Sequence, residues 1–220
     1  MKRKINFIGI GAQKAGTSWL SEALNEHPAA YIHPKKECHF FNKNQFYINK
    51  FLYEKSFKHQ NQKIIGEITP AYILSEKTAK RIFNYNPEIQ LILITRDPTE
   101  RAISQYKMEI GRKRFKKDIS FKEIFDNNIE QIRERGEYSK KLKKYYNYFN
   151  KEQILILKYE DLRNDANNFI KKVYDFLNIN TEFKPTCLLT KIRHPKDKPE
   201  DIKIQKEDIE YIKNYYTNKN

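Results

Sequence analysis

The chain has 220 residues, of which 39% are hydrophobic, and a formal net charge of +15. This length suits one well-buried α/β domain and is short for two, and the 14 Phe and 15 Tyr residues supply a core, which excludes a disordered chain. The positive charge suits a polyanionic partner such as nucleic acid, an acidic glycan, an anionic membrane surface or a phosphorylated cofactor, and the alternative is a lysine-rich solvated surface.

The cysteines and the N-terminus indicate the compartment. Two cysteines, Cys38 and Cys187, imply neither a disulfide framework nor a metal cluster, and they favour a reduced, cytoplasmic location. The chain opens with a basic Met-Lys-Arg-Lys sequence. The apolar run behind it is too short for a signal peptide or a membrane span. We therefore expect a soluble protein without a transmembrane segment.

The first predicted elements are a strand, a loop and a helix. Residues 5–10 form an apolar run, residues 11–16 a glycine-bearing turn, and residues 18–26 a helix. Small residues around Lys14 let backbone N–H groups point at an anion, and the helix adds the positive end of its dipole. In the nucleotide-triphosphatase loop the lysine follows the second glycine, whereas here it precedes Gly16. The alternative is an ordinary strand-to-helix turn with a solvated lysine.

The next segment of interest is PKKECHFFN, residues 34–42. If residues 36–40 are extended, Glu37 and His39 project to the same side, because side chains alternate along a strand. Such a pair can take a proton from a hydroxyl or amine acceptor, and the alternative is a structural role. Cys38 points the other way and is more typical of a small buried residue than of a nucleophile.

The middle of the chain predicts a helix within residues 46–57, a strand at 63–67, a turn at 68–72 and a helix at 75–83 with Ser75 as its N-cap. The apolar run 89–95 predicts a central parallel strand that leads directly into Arg96. Ligands of open α/β sheets bind beyond the carboxyl ends of strands, so Arg96 and Ser104 could converge on one phosphate. The alternative is an Arg-Asp helix cap with a surface serine.

The remaining elements complete the alternation of strands and helices. The basic run 111–117 is either a solvated loop or a polyanion contact. We predict helices at 121–132, 138–149, 166–177 and 206–216, a strand at 153–157 and a turn at 159–162. This order calls for a single α/β domain with a mostly parallel central sheet, covered by helices on both faces. The basic loop after Lys184 could fold back over a cofactor or form a mobile tail.

Six motifs occur in the order and at about the spacing of carbohydrate sulfotransferases: QKAGTSWL (13–20), KECHFF (36–41), GEITPAY (66–72), RDPTERAISQY (96–106), LKYEDL (157–162) and TKIRHP (190–195). From residue 5 to about 195 the chain resembles the heparan sulfate glucosaminyl sulfotransferase domains and their bacterial relatives. The resemblance implies a P-loop-like fold and a donor, 3′-phosphoadenosine 5′-phosphosulfate (PAPS), used without a metal. It also implies a glycan acceptor that carries a hydroxyl or amine and can be acidic, with no nucleic acid partner.

The resemblance also implies residue roles. Glu37 corresponds to the catalytic base, His39 to a nearby histidine, and Lys14 to the lysine beside the bridging oxygen of the donor. The implied donor-binding residues are Lys14, Ala15, Gly16, Thr17 and Ser18 at the 5′-phosphosulfate, Trp19 at the adenine, Arg96 and Ser104 at the 3′-phosphate, and Lys191 and Arg193 over the nucleotide.

The sequence departs from the family pattern at two places. Ile68 stands where those enzymes usually have a lysine near the acceptor, and the C-terminal cysteine pair of the family is absent. The acceptor is therefore less well defined than the donor. Two other classes are compatible with parts of the sequence: a P-loop nucleotide kinase, which shares the strand, loop and helix, and a basic nucleic-acid-binding module, which explains the charge alone.

Overall fold

A sheet of five parallel strands runs through the centre of the protein. The computed structural model describes residues 4–44, 50–58, 61–115, 119–189 and 202–219. The strands are β1 (Phe7–Gly11), β2 (Ala30–Ile32), β3 (Ile64–Ile68), β4 (Gln90–Thr95) and β5 (Ile154–Lys158). Their order in the sheet is β2-β3-β1-β4-β5, and every neighbouring pair is parallel. The predicted α/β class with a parallel central sheet is confirmed.

Nine α-helices connect and cover the strands in the described part of the chain. They are α1 (Thr17–Glu26), α2 (Lys50–Ser56), α3 (Glu76–Tyr85), α4 (Pro98–Gly111), α5 (Phe121–Asp126), α6 (Tyr138–Tyr145), α7 (Tyr159–Asn164), α8 (Ala166–Phe176) and α9 (Lys206–Thr217). The β1 and β3 strands are buried along their whole length, as expected for parallel strands covered on both faces.

Four sequence predictions differ from the structure. Residues 159–162 belong to helix α7 and do not form a simple turn. The predicted helix 121–132 ends at Asp126, because Asn128 adopts a left-handed conformation with φ 49°. The helix predicted over 138–149 ends at Tyr145. Ser75 occupies the N-cap position of α3, but its side chain makes no capping hydrogen bond.

The segment 36–40 is not extended either. Lys36 and His39 both have left-handed backbones, with φ 58° and φ 55°. Non-glycine residues rarely adopt this conformation, so tertiary contacts must hold the segment in place. Glu37 and His39 are therefore not brought together by the alternation of side chains along a strand, which was the predicted reason.

Two hydrophobic clusters divide the interior. The larger one surrounds the sheet. The second lies between α4, α5 and α9 and includes Tyr106, Phe125, Ile212 and Tyr216. Full burial of such side chains contributes roughly 1.5–3 kcal/mol each, which fixes the C-terminal helix on α4. No α-helix within the described ranges is long and apolar enough to cross a membrane.

Candidate active site

The loop after β1 lies at the carboxyl edge of the sheet. The register of β1 against β4 shifts between Gly9 and Gly11, and the N–H of Ala12 then donates to the carbonyl of Ile94 at 2.7 Å. Such an irregularity turns the chain out of the sheet. Within this loop Ala12 and Ala15 are buried, whereas Lys14 is half-buried.

Gly16 is the N-cap of α1 and needs to be glycine for two reasons. Its φ is 84°, in the left-handed region, and a Cβ there would lie 2.8 Å from Leu162 Cδ2. A Cβ would also lie 3.1 Å from the ring of Tyr159. Tyr159 and Leu162 of α7 thus lie close against the loop, so the LKYEDL segment helps to shape the turn after β1.

Arg96 links the end of β4 to this loop. Its Nη1 donates to the backbone carbonyl of Lys14 at 3.1 Å, and its Nη2 pairs with Glu100 Oε2 at 2.9 Å. The guanidinium lies 4.6 Å from the ring centroid of Tyr159, a cation–π contact. Its buried Nε has no hydrogen-bond partner among the described residues. Asp97 caps α4 by accepting from Glu100 N at 2.8 Å, so the predicted cap also forms.

Ser104 lies on the face of α4 that points to the loop. It is one turn beyond Glu100, the partner of Arg96, and one turn before Met108, whose sulfur accepts from Lys14 Nζ at 3.6 Å. Residues four apart are neighbours on a helix, so Ser104 stands between these two contacts. The structure therefore brings Lys14, Arg96 and Ser104 to one edge of the sheet.

A buried carboxylate holds the segment that carries Glu37 and His39. Glu67, the fourth residue of β3, is fully buried and accepts hydrogen bonds at 2.5–2.9 Å from Thr69, Tyr53, Tyr72 and the N–H of Cys38. Burial raises the pKa of Glu67, and these hydrogen bonds oppose the rise. The Tyr72 hydroxyl also accepts from the N–H of Phe40 at 2.9 Å.

Glu37 and His39 do meet. His39 Nε2 lies 3.4 Å from Glu37 Oε2, and His39 Nδ1 lies 3.2 Å from Asn42 Nδ2. The Glu37 side chain is 42% exposed, so it faces solvent rather than a dry pocket. Lys36 connects Glu37 to the start of α1, because Lys36 Nζ lies 3.5 Å from Glu37 Oε1 and 3.0 Å from Ser18 Oγ. Burial raises the pKa of the Cys38 thiol, which argues against a nucleophile.

Trp19, implied by the resemblance to lie at the adenine, is largely buried. It is 5% exposed, its ring packs edge-on against Phe169 at 6.0 Å, and its Nε1 donates to the carbonyl of Cys187 at 3.4 Å. Stacking on adenine needs an accessible ring face, so this burial disagrees with the expected contact. Lys191 and Arg193, the predicted cover of the nucleotide, lie outside the described residues.

Sequence reasoning gave no role to Glu67, Lys36 or Tyr159. The signal for Glu67 was available, because a charged residue inside the apolar strand IIGEI needs buried partners. Lys36 and Tyr159 occur in quoted motifs, but only the fold places them against the loop after β1. Within the described part of the chain no group of His, Cys, Asp or Glu could hold a metal ion.

Known proteins resemble this chain in sequence and in fold. A family model described as "Sulfotransferase domain" matches residues 5–214. The chain therefore belongs to the sulfotransferase family. A crystal structure of a sulfotransferase from Alicyclobacillus acidocaldarius superimposes with a TM-score of 0.82 at 24% identity, covering 99% of this chain and 93% of that one. This likeness shows the fold.

Two known proteins are similar to this chain in sequence. The chain is 32% identical over 184 residues to the mouse "Heparan sulfate glucosamine 3-O-sulfotransferase 5", covering 78% of this chain and 53% of the relative. It is 44% identical over 110 residues to the "Membrane-associated sulfotransferase kil1" of Dictyostelium discoideum, covering 48% of this chain and 23% of that protein. The chain thus spans about half of the first of these relatives and a quarter of the second.

Proposed function

We propose that the chain transfers the sulfuryl group of PAPS to a hydroxyl or amine of a carbohydrate acceptor by in-line displacement. The observation that carries the proposal is the hydrogen bond from Arg96 to the carbonyl of Lys14, which joins the turn after β1 to a cationic fork after β4. Ligands of such sheets bind at this edge. Family membership supports the same chemistry and favours neither a nucleotide kinase nor a nucleic-acid-binding module.

The donor side has groups for both ends of PAPS. PAPS supplies an activated sulfuryl group, and its departure leaves negative charge on a phosphate oxygen. Lys14, the loop N–H groups and the start of α1 stabilise that charge. Arg96 and Ser104 suit the 3′-phosphate, because a guanidinium and a hydroxyl can bind several of its oxygens at once. A cover of Lys191 and Arg193 stays part of the proposal.

On the acceptor side, Glu37 accepts the proton of the attacking group and His39 orients the acceptor. Their 3.4 Å separation lets the imidazole hold the carboxylate in one position. Glu37 is joined to Ser18 through Lys36, so the proposed base lies beside the loop that binds the sulfuryl end of the donor. A general base of this kind contributes about 10²–10⁴ to the rate.

The name of the mouse relative supports a glycan acceptor, and the net charge of +15 suits an acidic one. Arg135 adds positive charge close enough to Glu37 for the two charges to interact. Ile68 is fully buried and offers no charge to the acceptor. A cytoplasmic location stays a prediction.

Radiolabelled PAPS incubated with glycan, lipid and small phenolic acceptors tests the proposal. We expect label in a glycan product with wild-type protein and none with Lys14→Met. The control Lys80→Met changes an exposed lysine on α3 and should retain transfer. Detectable ATP turnover without sulfuryl transfer would instead identify a kinase, and transfer only to phenols would overturn the carbohydrate acceptor.

A further inference from the structure

Lys36 lies between the donor loop and the proposed base, in a backbone held on both sides. Its N–H donates to the carbonyl of His33 at 2.7 Å, and its own carbonyl accepts from the N–H of Ile68 at 3.2 Å. Its φ of 58° is unusual for a lysine. The backbone contacts hold this conformation, which directs the side chain at the start of α1.

The Lys36 ammonium group is placed where its own surroundings disfavour a cation. Its Nζ donates to Ser18 Oγ at 3.0 Å and lies 3.4 Å from Thr17 Oγ1. These hydroxyls belong to the first two residues of α1, where the helix dipole is positive. The side chain is only 21% exposed, and this burial lowers the pKa of Lys36 although Glu37 and Glu22 oppose the effect.

A cation at the positive end of a helix is stabilised when an anion joins it. Glu37 supplies part of that charge, but its nearest oxygen is 3.5 Å from Nζ and its side chain is 42% exposed. The hydroxyls of Thr17 and Ser18 are neutral and cannot offset the charge. An anion bound over the start of α1 would satisfy the ammonium group, the hydroxyls and the dipole together.

We propose that Lys36 is a donor-binding residue that contacts the non-bridging oxygens of the 5′-phosphosulfate, as a second cation beside Lys14. This inference rests on the proposed function, because it assumes that the turn after β1 binds the 5′ end of PAPS. It adds a specific property: the cation that contacts the 5′ end also touches the proposed base, so the donor and Glu37 share one ammonium group.

Calorimetry with 3′-phosphoadenosine 5′-phosphate tests this role. Lys36→Met keeps the length of the side chain and removes its charge, and we expect Kd to rise about 10-fold to 150-fold, the range for a lost charged hydrogen bond. Lys36→Arg should recover part of the affinity. The control Lys35→Met removes the same charge from an exposed neighbour, and we expect no more than a 2-fold change, since ~0.4 kcal/mol lies within ordinary surface effects.

A second ligand separates a direct contact from a general loss of structure. Adenosine 3′-monophosphate lacks the 5′-phosphate, so its affinity, measured by competition, should be the same in wild type and Lys36→Met. The inference would be overturned if Lys36→Met bound both ligands more weakly by the same factor. It would also be overturned if wild type and Lys36→Met bound 3′-phosphoadenosine 5′-phosphate with equal affinity. A wild-type protein that binds neither ligand would instead overturn the proposed function.

Discussion

Arg96 donates a hydrogen bond from Nη1 to the backbone carbonyl of Lys14 at 3.1 Å, so one side chain joins the ends of β1 and β4. The same guanidinium pairs with Glu100 at 2.9 Å and lies 4.6 Å from the Tyr159 ring centroid. Arg96 thus holds the loop after β1 as well as facing the edge where a nucleotide would bind. Its removal should affect both the loop and the ligand.

Arg96→Ala should weaken binding of 3′-phosphoadenosine 5′-phosphate by about 10-fold to 150-fold, because a charged phosphate contact contributes about 1.5–3 kcal/mol. Arg96→Lys should restore little, since an ammonium group cannot reproduce the planar fork or the stacking on Tyr159. Calorimetry is the measurement, with Arg163→Ala, an exposed arginine on α7, as the control. Unchanged affinity in a folded Arg96→Ala protein would remove Arg96 from the donor site.

Glu37→Gln should lower kcat by about 10²–10⁴ while the donor still binds, because the amide cannot accept the acceptor's proton. His39→Ala should be less damaging, since His39 orients the acceptor, lies 3.4 Å from Glu37 and does not itself take the proton. Steady-state kinetics with a fixed acceptor measures both. The reverse ranking would make His39 the base, and near-normal kcat in both variants would mean that the base lies elsewhere.

The buried Glu67 should make the free energy of unfolding depend on pH. Burial raises its pKa in the folded protein above the ordinary value of 4.5, so the folded state keeps this proton after the unfolded state has lost it. The contribution of Glu67 to the free energy of unfolding should therefore fall as the pH rises above about 4.5. Glu67→Gln cannot ionise and should lack this part of the slope.

Urea denaturation between about pH 4 and 8 measures the difference. If the free energy of unfolding depends on pH in the same way for wild type and Glu67→Gln, Glu67 does not change its proton occupancy on folding.

Glu67→Gln should also lower kcat more than donor affinity, because Glu67 accepts a hydrogen bond from the N–H of Cys38, which lies between Glu37 and His39 in the chain.

The basic run 112–117 should contact an acidic acceptor rather than the donor. Arg114 already pairs with the buried Glu109 at 3.1 Å, so its replacement would disturb the fold. We expect Arg112→Gln with Lys113→Gln to raise the acceptor KM several-fold, because both follow α4 at the end away from Arg96, with donor affinity unchanged. The control is Lys77→Gln with Lys80→Gln, two exposed lysines of α3. Equal KM values in the two double variants would make the run a solvated surface.

The approach of Arg96 to the loop that carries Lys14 could be predicted because its signals are local. A lysine before Gly16 and an arginine directly after an apolar strand are read from neighbouring residues, and parallel strands bring their carboxyl ends to one edge. The pairing of Glu37 with His39 was also expected, but the reason was wrong. Left-handed backbones at Lys36 and His39 bring the two side chains together, and contacts to Glu67 and Tyr72 hold the segment.

The burial of Trp19 could not be predicted from the motif that contains it. Its place after Ser18 fits the family pattern, yet the neighbours that bury it come from distant parts of the chain, Phe169 and Cys187. Such long-range packing cannot be read from the sequence around residue 19. The same holds for Lys36, whose contacts with Thr17 and Ser18 depend on how β2 and β3 are placed beside β1.

The strand order places the residues proposed to bind the 3′-phosphate and the proposed base on opposite sides of β1. Arg96 and Ser104 follow β4 on one side of the central strand β1, whereas Glu37 and His39 follow β2 and are held by Glu67 of β3 on the other. Acceptor preference can therefore diverge among related chains through changes in the β2–β3 half, while the 3′-phosphate contacts that follow β4 are retained. A chimera carrying residues 29–72 of a relative, with lysine kept at position 36, should take that relative's acceptor and keep this chain's affinity for 3′-phosphoadenosine 5′-phosphate.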